Sequence, residues 1–132
     1  MELAPRRFAD ALVLRPSGRL DHCTAPDFRV ALAPHLERCV TGGDVVVLDL
    51  AGVEHVSSAG LRVLMLASRQ VSGQGGTLVV AAPQPRVREI FEISRFTLVF
   101  EIFPTVAAAL SRVSPSGAAA YGTPDAPAPG GE

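Results

Sequence analysis

The chain has no tryptophan, no lysine and no asparagine, only two cysteines, and one tyrosine beside six phenylalanines. With 48% hydrophobic residues but so few rings, its core must be aliphatic, built from Val, Leu and Ala. All 12 basic side chains are arginines, the bias of a GC-rich coding sequence, and they are scattered along a chain of net charge −1. That distribution gives no basic face, which argues against nucleic-acid binding. Cys23 and Cys39 lack the spacing of a metal or redox pair, so reduced structural thiols are expected. His22, His35 and His55 offer no pair at helical ligand spacing, and neither a metal nor a cofactor is expected. No stretch approaches the roughly 18 uninterrupted apolar residues of a membrane span, and no signal-peptide run follows the N-terminus. A soluble, cytoplasmic protein with no membrane contact is expected. There is no G-x-S-x-G elbow, no phosphate-cradling G-x-x-x-x-G-K-[ST] and no internal repeat, and nothing marks His55 as an oriented base for a serine hydrolase.

What the sequence does hold is an alternation of short apolar runs and helical periods. Phe8 to Arg15, around Ala11-Leu12-Val13-Leu14, reads as a strand stopped by Pro16-Ser17-Gly18, and Gly18-Arg19-Leu20 as a second short strand closing a hairpin. Thr24 or Asp21 is a candidate helix cap with Pro26 in the first turn. Phe28, Ala31, Leu32, Leu36 and Cys39 then recur at helical steps, with Pro34 predicting a kink or a late start. Val45 to Leu50 and Thr77 to Ala81 are continuous β-branched runs, as in strands covered on both faces. Ser58 to Gln70 is a helix, Val87 to Ser94 another, Leu98 to Ile102 a last strand, and Pro104 opens a helix with Val106, Ala109, Leu110 and Val113 as its stripe. The pattern predicts a mixed, mainly parallel sheet of four to five strands flanked by about four helices, joined by right-handed crossovers. One domain over residues 1–113 is expected, and a disordered Pro/Gly/Ala-rich tail over 114–132.

Between the Val45–Leu50 strand and the Ser58 helix lies a loop ending in Ser57-Ser58-Ala59-Gly60. A hydroxyl at a helix N-terminus stands where backbone N–H groups and the helix dipole favour an anion such as phosphate. Ser58 there is either a plain helix cap or a modifiable switch, and Ser57 competes with it for both roles. Gly60 is costly inside a helix, so it serves either close approach of a partner or tight packing on the sheet. Arg62, Leu66 and Arg69 share one helical face, a solvated surface or a docking patch with Leu66 and Val63 as anchors. Leu61, Leu64, Met65 and Ser68 form the stripe expected against the sheet. Asp21 and Asp49 end strands on the Ser58 side, where α/β sheets build sites. Asp21 is the better candidate, while Asp49 serves equally to bind loop amides.

Three segments, Gly18-Arg19-Leu20-Asp21-His22-Cys23-Thr24-Ala25, Leu48-Asp49-Leu50-Ala51-Gly52-Val53 and Val56-Ser57-Ser58-Ala59-Gly60-Leu61, carry a resemblance to the STAS family. That domain is shared by sulfate-transporter tails and bacterial anti-sigma factor antagonists, and the likeness covers roughly the first 110 residues. The resemblance implies a STAS-like fold and places Ser58 on the serine phosphorylated in phospho-regulated members. Those members often carry Asp before that serine, where this chain has Ser57. It further implies an anti-sigma factor with serine kinase activity as partner, a serine phosphatase that resets the switch, and regulation of transcription without catalysis by this chain. The expected contact residues are Asp21, His22, Thr24, Ser57, Ser58, Ala59, Gly60, Arg62, Leu66 and Arg69, on a monomer or weak dimer. No membrane segment precedes the domain, so a free-standing antagonist is expected over a transporter tail. The alternative keeps the fold without phosphorylation, as an interaction subunit of a transporter or a stress-signalling scaffold.

Overall fold

The computed structural model describes residues 1–122 of the chain. Its centre is a five-stranded mixed sheet in the order β1-β2-β4-β6-β7. β1 (Arg6–Phe8) and β2 (Ala11–Leu14) form an antiparallel hairpin, and β4 (Val45–Asp49), β6 (Thr77–Ala81) and β7 (Ile102–Phe103) continue it in parallel. Side chains alternate across this sheet, as the strand repeat of two demands. Leu12, Leu14, Val46, Leu48 and Val80 face one buried cluster; Ala11, Val13, Val47, Val79 and Ala81 face another. Helices α1 (Ala25–Glu37), α2 (Ser58–Gly73) and α3 (Pro85–Ile93) cover the first face. Helices α4 (Val106–Val113) and α5 (Pro115–Tyr121) cover the second. Cover on both sides is why the central strands read as unbroken apolar runs.

A second, two-stranded sheet positions the site. Past Pro16 the β2 strand resumes as β3 (Ser17–Leu20), and past Ala51 the β4 strand resumes as β5 (Gly52–Val56). The two pair in parallel, Leu20 opposite Val56. This corrects two expectations. Gly18–Leu20 is no hairpin partner of β2, and the stretch after Leu50 is a strand rather than a loop.

Three further boundaries differ from the sequence reading. α1 begins at Ala25 and runs through Pro34 to Glu37; the ring removes only the bond to the Val30 carbonyl, on a face open to water. The apolar run Leu98–Ile102 forms no five-residue strand. Phe96–Leu98 is a 3-10 turn, and Phe96 stacks on Phe91 at 5.4 Å and meets Phe100 at 5.4 Å, so ring packing takes the place of a ladder. The expected boundary at Val113 also moves. Ser114 is buried and its hydroxyl accepts from Gly117 N at 3.0 Å, capping α5. The same hydroxyl donates to the Asp10 carboxylate in the β1–β2 turn, with Ser116 Oγ adding a second bond at 3.1 Å. The remainder of the expected tail, 123–132, lies outside the described residues.

Candidate functional site

The parallel β3–β5 pair brings two chain segments together at its C-terminal end. Ser57 N donates to the Leu20 carbonyl at 2.9 Å, extending the ladder by one bond. The turn at Asp21–Thr24 therefore sits beside the start of α2. Asp21, His22, Thr24, Ser57, Ser58 and Ala59 meet where α1 and α2 both begin.

Within the turn, Asp21 Oδ1 accepts from Cys23 N at 3.0 Å and Thr24 N at 3.3 Å, and Oδ2 faces Arg19 Nε at 3.4 Å. Partial loss of hydration works against the ionised carboxylate, but the two amides and the arginine outweigh it and hold its pKa below the ordinary value. Thr24 occupies the N-cap of α1 without capping it; its hydroxyl donates to the Arg19 carbonyl at 2.7 Å and accepts from Asp21 N at 3.0 Å. Asp21 and Thr24 thus hold the turn together, while His22 stands exposed.

The serine pair divides into two environments. Ser57 is the N-cap of α2, in extended backbone, but its side chain accepts no capping bond, and its hydroxyl oxygen is buried without a hydrogen-bond partner. Ser58 is the first helical residue and is exposed. It therefore does not serve as the helix cap. The first turn of α2 has no acidic residue, so its free N–H groups and the positive end of the dipole go unmatched by the helix itself. No histidine hydrogen-bonds either serine among the described residues.

Gly60 is buried, and it belongs to the chain's own packing. A Cβ there would lie 2.5 Å from the Leu20 carbonyl oxygen and 3.0 Å from both Leu20 Cβ and Val56 Cγ1. Of the two roles expected for Gly60, close packing within the chain is the one this geometry supports. The sheet-facing stripe of α2 is likewise shifted, to Gly60, Val63, Leu64, Ala67 and Val71, with Met65 exposed. Val63 is buried at 7% exposure, which removes it as a free-standing anchor, whereas Leu66 is 42% exposed. Arg62 and Leu66 line one depression with His22 and Ala59. Arg69 is exposed further along α2 and does not line that depression. Asp49 accepts from Ala51 N at 3.0 Å and lies 3.8 Å from Arg15 Nε, at the bend before β5. Five residues of strand separate it from the Ser57–Ser58 end, about 17 Å at the usual rise.

The sequence reading missed two features. Arg29 and Val30 on α1 border the same region; the available signal was an apolar Val30 outside the Phe28–Leu32–Leu36 stripe. Asp21, His22 and Cys23 also place potential ligand atoms within 4.8 Å of one another. Consecutive residues in a turn fall outside the ligand spacings that sequence patterns record, and here both Asp21 oxygens already face N–H groups. Cys39, by contrast, is a structural thiol: it is buried, bonded to the Thr77 carbonyl at 3.1 Å, and its pKa is raised by that burial.

Among the described residues no helix is long and apolar enough to cross a membrane. The sequence profile of the STAS domain matches residues 3–109. BtrV of Bordetella bronchiseptica, named as an anti-sigma factor antagonist, is 34% identical over 102 residues, spanning 77% of this chain and 85% of its own. The crystal structure of an anti-sigma factor antagonist from Mycobacterium paratuberculosis superposes with a TM-score of 0.74 at 25% identity, covering 83% of this chain and 90% of that one. A Thermotoga maritima structure described in the same terms shares the fold at a TM-score of 0.76 and 21% identity, covering 84% and 93% of the two chains. With most of its described length matched in sequence and in fold, the chain belongs to the STAS domain family.

Proposed function

We propose that this chain is an anti-sigma factor antagonist that works as a partner switch. Unphosphorylated, it binds an anti-sigma factor with serine kinase activity in the cytoplasm, and the sigma factor is freed. The Ser58 hydroxyl then attacks the γ-phosphorus of ATP held by that partner, its proton departs and ADP leaves. A serine phosphatase hydrolyses the ester and restores the first state. In this cycle the chain is ligand and substrate, and the chemistry belongs to its partners.

One observation carries the reading: of the two adjacent serines, Ser58 is exposed at the first turn of α2, whereas the Ser57 oxygen is sealed. A phosphate adds about −1.5 to −2 charges. At a helix N-terminus with no carboxylate of its own the fold tolerates that charge, while a docked surface must accommodate it or leave. The kinship with antagonists, including BtrV, supports the same reading.

The test is incubation with candidate anti-sigma kinases and ATP, followed by phosphosite mapping. Phosphate on Ser58, absent from Ser58→Ala, supports the switch. A second reading, a STAS interaction subunit of a transporter or stress-signalling scaffold without phosphorylation, is favoured by Ser57 standing where phospho-regulated relatives often have Asp. A complex with such an assembly that is indifferent to Ser58→Asp would establish it instead.

A further inference from the structure

Two adjoining depressions of about 370 Å³ each share Arg29, Val63 and Leu66, and together they form one groove between α1 and α2. It begins at Ala59, the neighbour of Ser58, and runs along α2 to Gln70. Apolar groups that water would ordinarily disfavour line it. Val30 is 70% exposed and Leu66 42%, on facing helices. The charge along the groove has one sign. Arg29 and Arg62 line it, no carboxylate does, and α2 contains no acidic residue at all. Asp27 and Glu37 of α1 line neither depression. Neither Arg29 nor Arg62 pairs with a carboxylate among the described residues, a state they share with Arg6, Arg38, Arg69, Arg86 and Arg95, so both are free to meet charge from outside the chain.

From this we infer that the groove receives an acidic, amphipathic helical segment of the partner. Apolar side chains of that segment would cover Val30 and Leu66, and its carboxylates would pair with Arg29 and Arg62. A second copy docked groove to groove would instead set these arginines against their own equivalents. The inference rests on the reading that the Ser58 end of α2 meets a partner. It also gives that reading a cause: phosphate at the mouth of the groove confronts an acidic segment, so like charges meet and the segment departs.

The probes are two short helix-forming peptides with leucines at i, i+3, i+4 and i+7, one carrying glutamates at the remaining positions and one lysines. Each is titrated against the full-length protein at low salt. The glutamate peptide should bind about tenfold or more tighter than the lysine peptide, with the difference shrinking as salt rises. Val30→Asp and Arg29→Glu, both at exposed positions, should each weaken it about tenfold, with circular dichroism confirming the fold. Absent binding of the glutamate peptide, equal binding of both peptides, or binding indifferent to Val30→Asp overturns the inference. So does self-association in sedimentation that Val30→Asp abolishes, because a second copy then fills the groove. Phosphorylation of Ser58 without peptide selectivity refutes the groove alone; selectivity without phosphorylation by any candidate kinase refutes the switch alone.

Discussion

The Leu20 carbonyl oxygen occupies the space that a side chain on Gly60 would need, only 2.5 Å from where a Cβ would stand. This contact presses the first turn of α2 onto the end of the β3–β5 ladder and so fixes where Ser58 is presented. Two effects oppose each other in Gly60→Ala. Helix propensity favours alanine by about 1 kcal/mol, whereas a clash with backbone costs about 1–3 kcal/mol. We predict a net loss of up to about 2 kcal/mol in urea unfolding, since a carbonyl in a ladder cannot swing aside as a flexible side chain can. A stabilised variant would show that the helix is held less closely than described.

Ser57 should behave unlike an ordinary cap. Replacing a capping serine by alanine usually costs about 1 kcal/mol, but here the hydroxyl bonds nothing and is buried. Ser57→Ala should therefore be neutral or stabilising by up to about 1 kcal/mol, because an unsatisfied buried polar group is removed. Ser58→Ala, at an exposed site without a cap bond, should change stability by less than about 0.5 kcal/mol. Thermal unfolding of both variants measures these differences directly.

The C-terminal helix supplies a pH-dependent test. The Ser114 hydroxyl, with Ser116 assisting against partial loss of hydration, holds the Asp10 carboxyl below its ordinary value of 3.8. Asp44 is lowered too, chiefly by its hydrogen bond from Arg7. A depressed folded-state pKa contributes stability that is present above the ordinary value and lost as pH falls through the folded one. Acid unfolding should therefore steepen below about pH 4. Ser114→Ala removes both the α5 cap and the main partner of Asp10. It should cost about 1–2 kcal/mol at neutral pH and flatten that acid limb, as urea titrations at several pH values would register.

Much of this architecture is legible in the chain. β4 and β6 declare themselves as β-branched runs, and α2 as a helical period after a serine pair. The misses have physical reasons. β5 buries Val53 and Val56 three positions apart, off the strand period of two, over only five residues, and its partner β3 lies more than 30 residues away, so no local pattern marks it. Leu98–Phe100 is apolar enough for a strand, but Phe91, Phe96 and Phe100 gather around one another instead. α5 looks like low-complexity tail because its residues are small. That smallness is what lets Gly117 lie against Phe8, where a Cβ would come within 2.9 Å of the carbonyl oxygen. At the site, residue types at Ser58, Asp21 and Leu66 could be read in advance. The groove could not, because it is made by two helices whose relative placement only the fold supplies.

The most direct test of the account phosphorylates Ser58 and measures both melting temperature and affinity for the anti-sigma factor that performs the phosphorylation. The account predicts a melting temperature unchanged within about 2–4 °C, the span of a 1 kcal/mol perturbation in larger domains, together with a loss of binding that Ser58→Asp reproduces and Ser58→Ala does not. Undiminished binding of the phosphorylated protein, or binding lost only because the domain has unfolded, would contradict it.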